Sequence, residues 1–136
     1  MLSALLLALQ PLPSEVAEKT ALCREALRSG ATTLEDAGLE VMPDDGDELK
    51  SFRDPETGAF VIWGSPFDTP LCGISFSMDG EDRGDRVVAW VETFADRTPD
   101  PRIARFEDNE FDYQVSEAGS EQLPLVAIMI SPLSSR

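Results

Sequence analysis

The chain contains no histidine, and its 26 acidic residues face only 11 basic ones, for a formal charge of −15 at pH 7. Without an imidazole there is no Ser-His-Asp triad, no Cys-His dyad and no histidine-bearing zinc site. With so few Lys and Arg, and a sequence pI near 4.1, the chain is not expected to bind nucleic acid, whose phosphates demand clustered cations. No apolar run reaches the roughly 18 residues that span a bilayer. The phosphate cradles Gly-x-x-x-x-Gly-Lys and Gly-x-Gly-x-x-Gly are missing. Aromatic residues make up only 7% of the chain, thin material for the cleft of a sugar-cleaving enzyme. Among them Trp63 and Trp90 read as core residues.

What is present is enough for a fold. Hydrophobic residues form 42% of 136 residues, and their runs are patterned, so a real core and a single domain are expected. The surplus acid favours solubility and a monomer or small homo-oligomer. The one compositional break is at the start, where Met1–Leu9 reads MLSALLLAL. Residues 1–13 are read as a candidate signal peptide or N-terminal apolar segment, and 14–136 as the globular domain. The leader has no Lys or Arg, and Ala8-Leu9-Gln10 is followed by a proline that disfavours cleavage. The alternative is a core-packing helix ended at Gln10-Pro11.

Helical spacing of Val16, Thr20, Cys23 and Leu27 predicts a helix over Ser14–Arg28, with Ser14 as N-cap and Gly30 at its end. Thr32-Thr33-Leu34-Glu35 is a capping-box pattern that opens a short helix ended by Gly38. An acidic loop, Met42–Asp47, follows. Strands are expected at Leu49–Arg53, Ala59–Trp63 and Leu71–Met78. In the last of these Cys72, Ile74, Phe76 and Met78 alternate with Gly73, Ser75 and Ser77. Val87, Trp90, Val91 and Phe94 predict a second main helix over Asp85–Arg97. Arg102–Phe106 and Phe111–Ser116 read as a hairpin. Leu125–Ile130 (LVAIMI) is apolar on both faces and predicts a central strand covered on both sides, with Ile128 in the core. The order is α-α-βββ-α-βββ: an α+β fold with a mainly antiparallel sheet of about five to six strands and two main helices on one face. Trp63, Phe76, Trp90, Phe94 and Ile128 are its expected anchors.

Cys23 and Cys72 each fall on the inward face of their element, so a disulfide between them is predicted. In an oxidising compartment it would stabilise the fold by about 4 kcal/mol through loop closure.

Catalytic chemistry finds little support. Cys72 has no base to activate it, Ser65 lacks the Gly-x-Ser-x-Gly elbow, and Lys50 has no Ser-x-x-Lys partner. Paired carboxylates are uninformative among so many acids. Read as an EF-hand from Asp79, the chain puts Arg83 and Trp90 where oxygen ligands belong, so the loop fails as a calcium site. No cofactor, metal or catalytic residue is assigned.

The leader and the two cysteines resemble small secreted proteobacterial proteins that carry an early helical Cys and a later strand Cys. That likeness implies no activity. The chain is therefore expected to be a small acidic, exported, periplasmic or secreted protein that binds an unidentified protein partner and catalyses nothing. The element order also resembles that of type III secretion chaperones, which dimerise and hold an unfolded effector segment. That resemblance implies the alternative: a cytoplasmic acidic chaperone or inhibitor-like protein holding a basic or unfolded partner.

Overall fold

A computed structural model describes residues 13–43, 49–65, 68–98, 104–120 and 122–133. Residues 1–12 of the expected leader, Asp44–Asp47 of the acidic loop and Arg102–Ile103 of the expected hairpin lie outside them.

The described residues form one antiparallel sheet of eight strands with three helices. The strands are β1 (Glu40–Val41), β2 (Leu49–Arg53), β3 (Phe60–Gly64), β4 (Leu71–Ser77), β5 (Asp96–Arg97), β6 (Ala104–Glu107), β7 (Phe111–Gly119) and β8 (Pro124–Pro132). Their spatial order is β1-β2-β3-β4-β8-β7-β6-β5. Two four-strand meanders thus each run from an edge to the centre, where β4 and β8 pair, Ile74 opposite Ile128. The helices are α1 (Pro13–Ser29), α2 (Thr32–Asp36) and α3 (Arg83–Val91). Helix α1 packs on β4 and β8, and α3 on β7 and β8.

The strand count exceeds the expected five to six because both edge strands are two residues long. Two residues show no alternation; β1 and β5 exist through their pairing with Phe52–Arg53 and Phe106–Glu107. Short edges of this kind leave little backbone open to edge-to-edge association.

The second main helix also differs from its expected span. It runs over Arg83–Val91, not Asp85–Arg97. The Phe94 and Ala95 amides both close onto the Val91 carbonyl at 3.0 Å, and Asp96–Arg97 join β6 instead. The backbone pairing continues with the Thr98 amide on the Arg105 carbonyl at 2.8 Å, and the Arg97 guanidinium lies over the Phe106 ring. Tertiary pairing outcompetes the helical periodicity that Phe94 extends.

Caps differ too. Helix α1 already includes Pro13, so Ser14 lies inside it. The N-cap of α2 is Ala31, with no side-chain hydrogen bond, so the Thr32–Glu35 capping box does not form. Gly30 and Gly38 do follow the helices with φ of 105° and 92°. On α1 the buried stripe is Val16, Thr20, Cys23 and Ala26, with Leu27 half-buried. Thr20 is satisfied within the helix, its hydroxyl donating to the Val16 carbonyl at 2.7 Å.

Alternation then sorts the sheet into two faces. Phe52, Val61, Cys72, Ile74, Phe76, Val126, Ile128, Ile130 and Tyr113 are buried on the helix side. The intervening residues of the same strands point the other way.

Candidate functional site

The residues singled out in the sequence are distributed through the helix side. Phe76 and Ile128 are buried, while Trp63, Trp90 and Phe94 are partly buried against the core. Cys23 and Cys72 form a disulfide, fully buried, with Cα atoms 5.6 Å apart. It ties the middle of α1 to β4. Ser65 is exposed at the end of β3, and Lys50 is exposed on β2. Among the described residues no group of three or more acids or cysteines is placed to hold a metal. No described helix is long and apolar enough to cross a membrane, which says nothing of a β-barrel.

Most of the polar contacts on the helix side fasten α1 to the sheet. Toward its N-terminal half, Lys19 Nζ meets Asp54 Oδ2 at 2.8 Å in the β2–β3 turn. Burial would raise the Asp54 carboxyl, but the bond from Lys19, the Glu56 amide at 2.8 Å, the Lys19 charge and the Thr57 side chain hold it below its ordinary range. Beside the disulfide, the Trp63 indole donates to the Ala26 carbonyl at 3.1 Å. At the C-terminal half, Arg28 grips Glu110 with two bonds, Nε to Oε2 at 2.9 Å and Nη2 to Oε1 at 2.7 Å. The ring of Phe111 lies beneath the same guanidinium, and Arg24 lies over Phe94.

Between these ends sits a network around Tyr113. Its hydroxyl donates to Asp108 and accepts from Arg24 Nη1 at 3.1 Å. Asp108 Oδ1 also takes the Glu110 and Phe111 amides, at 2.8 and 2.7 Å. Burial would raise the Asp108 carboxyl, but Tyr113, the two amides and the Arg24 charge hold it down. Burial, reinforced by the bond to Asp108, pushes the Tyr113 phenol up to about 12. Sequence reasoning missed this group because its members are scattered over α1, the β6–β7 turn and β7; only the alternation of Phe111, Tyr113 and Val115 with Asp112, Gln114 and Ser116 hinted at burial.

A shallow cleft of about 330 Å³ lies where Asp79, Gly80, Glu81 and Arg83 meet Ser120 and Pro124. Arg83 is the one cation among its described lining residues, and its guanidinium is engaged by the chain itself. It donates to the carbonyls of Gly80 (3.2 Å) and Leu125 (3.4 Å) and faces Glu117 Oε1 at 3.7 Å. Glu117 Oε2 takes the Gly84 amide at 3.2 Å and so caps α3 from β7.

The other side of the sheet is different in kind. β8 is the central strand that was expected, paired with β4 and β7; among the described residues no helix packs on its second face, where Leu125, Ala127 and Met129 are half-buried. They continue into an apolar centre across β3, β4 and β8. Ile62, Gly73 and Met129 lie side by side in register, as do Phe60, Ser75 and Ala127. Phe60 is 41% exposed. Gly73 permits the close packing of this row, because a Cβ there would sit 2.6 Å from Met129 Sδ and 3.0 Å from Ile62 Cγ1. Around the centre stand Ser51, Ser75, Ser77, Gln114 and Ser116. Toward the β5 edge, Asp96, Glu107 and Asp112 are opposite one another on adjacent strands. Asp112 is held by Arg105, Nε to Oδ1 at 2.9 Å and Nη2 to Oδ2 at 2.7 Å. Toward the β1 edge, Glu40 is opposite Arg53. This face can bury apolar surface, supply hydroxyl and amide groups, and meet a charged partner at its margins. It is the candidate functional site.

Comparison with protein-family models, with curated proteins and with solved structures gives no significant match to this chain.

Proposed function

We propose that this protein is a small, exported, disulfide-braced domain that binds a protein partner through the sheet face on which no described helix packs, and that it catalyses no reaction. The observation that carries the reading is the contrast on β8. One of its apolar faces is buried under α1 and α3; on the other, Leu125, Ala127 and Met129 share a surface with Phe60 and Ile62 of β3, and no described helix packs there. An apolar patch with a polar margin is the usual form of a protein interaction surface.

Export is supported by the buried disulfide, since such bonds persist in oxidising compartments, and by the apolar start of the sequence. A binding role, not a catalytic one, is supported by the use of Lys19, Arg24, Arg28, Asp54, Asp108 and Tyr113 as fasteners of α1. The periplasm or extracellular space is the proposed location, and a monomer the proposed state of the free protein, given its charge.

The test is the intact mass of the protein isolated from its native host, with and without reduction and alkylation. A mass short of the leader, with both thiols protected until reduction, is the expected result. A full-length mass with two freely alkylated cysteines sinks the exported reading and favours a cytoplasmic acidic chaperone.

A further inference from the structure

We infer that the sheet face on which no described helix packs binds a cationic, apolar polypeptide segment; this deepens the reading of that face as the interaction surface and rests on it. The apolar centre sets one half of the chemistry. Phe60, Ile62, Ala127, Leu125 and Met129 lie across β3, β4 and β8, and two strand spacings give a width of about 10 Å. That is the diameter of one helix, so a single amphipathic helix covers it.

Charge sets the other half. Asp112 and Arg105 on this face bind each other, and Glu40 is opposite Arg53, which leaves Asp96 and Glu107, opposite one another, as the acidic margin at the β5 edge. The whole chain stands at −15. A second copy would bring a further −15 to the same interface, so self-pairing is opposed by long-range repulsion. Nucleic acids and anionic membrane surfaces are repelled for the same reason. A segment bearing Lys or Arg beside its apolar residues is attracted on approach and neutralises the margin on docking. Both sheet edges end in two-residue strands, so the occupant lies on the face and does not extend the sheet.

The experiment uses the full oxidised chain and a fluorescein-labelled leucine-lysine peptide of about 14 residues, about 20 Å long as a helix. Its twin has glutamate at every lysine. Fluorescence anisotropy is expected to show saturable binding of the lysine peptide, weakened by about tenfold or more between about 50 and about 500 mM salt. The glutamate twin should not bind. Phe60→Ser, at an exposed site, should weaken binding by about fivefold or more, and Phe60→Ser with Met129→Ser by more still. Asp82→Asn with Asp85→Asn, away from the face, should leave the affinity within about twofold. Circular dichroism and melting establish that each variant is folded.

The inference is overturned by absent binding of the lysine peptide, by equal binding of both peptides, or by binding insensitive to Phe60→Ser. Self-association that Phe60→Ser abolishes, without peptide binding, makes a second copy the occupant and overturns it too. Phe60-dependent binding of the glutamate twin overturns the charge assignment alone and leaves the interaction reading standing.

Discussion

The two faces of β8 carry nearly the same chemistry and meet different fates. Val126, Ile128 and Ile130 are fully buried beneath the helices, while Leu125, Ala127 and Met129 on the opposite face are only half-buried. The helix side is also fastened. A disulfide holds the middle of α1, Lys19–Asp54 holds its front half, and Arg28–Glu110 with the Tyr113 network holds its rear. The other side has no described counterpart of α1. Apolar composition alone therefore does not make a core; a partner element, anchored in place, does.

The sharpest way to break this comparison is to cut its central fastener. Replacing both Cys23 and Cys72 by alanine should lower stability by about 4 kcal/mol, as loop closure over a sequence separation of 49 implies. Urea titrations of the two proteins measure it, and an unchanged midpoint would show that α1 is held by packing alone. Next comes a pair of neighbours on β8. Ile128→Ala should cost about 3–4 kcal/mol, a typical cavity penalty, whereas Met129→Ala, on the open face, should cost about 1 kcal/mol or less. Equal losses would mean that both faces are covered in solution. Tyr113→Phe removes the hydroxyl shared by Asp108 and Arg24 and should cost about 1–3 kcal/mol.

Acid should loosen the helix side selectively. Asp54, Asp108 and Glu110 are held below their ordinary values when folded, Glu110 chiefly by the bond from Arg28. Their contribution is therefore complete above the unfolded carboxylate range, near pH 4, and is lost as pH falls through the depressed folded values. At the alkaline end, the Tyr113 phenol is raised to about 12. Its contribution is complete below the unfolded value, about 10, and disappears as pH rises from there toward 12. Melting temperatures across both ranges test the two directions, and Tyr113→Phe should flatten the alkaline decline. The smallest expected effect is that of Phe60→Ser, a change of no more than about 0.5 kcal/mol. A larger loss would place Phe60 in the core and remove it from the docking face.

Much of the helix side was legible in the sequence. The alternation of Cys72, Ile74 and Phe76 and the helical spacing of Val16, Thr20 and Cys23 locate residues that share a buried face, and the bridge between the two cysteines follows from that. The six longer strands coincide in outline with alternating or apolar runs. Less legible were β1 and β5, too short for a period, and the end of α3, where Phe94 continues the helical spacing although the backbone has left the helix. The candidate site was legible only in part. With Trp63 expected in the core, alternation puts Phe60 and Ile62 on the opposite face, but nothing in the sequence says that the helices leave that face to other contacts.

The sequence by itself determined which chemistry was out of reach, which residues lie together on each strand, and that both cysteines point inward. These depend on residue type and on periods of a few residues. Only the tertiary structure decided which face of the sheet the helices cover, where the edges stop and how Arg24, Asp108 and Tyr113 meet. Alternation divides a strand into two faces and is symmetric between them, so the choice is made by contacts such as Cys23–Cys72 and Arg28–Glu110, which join positions far apart in the chain.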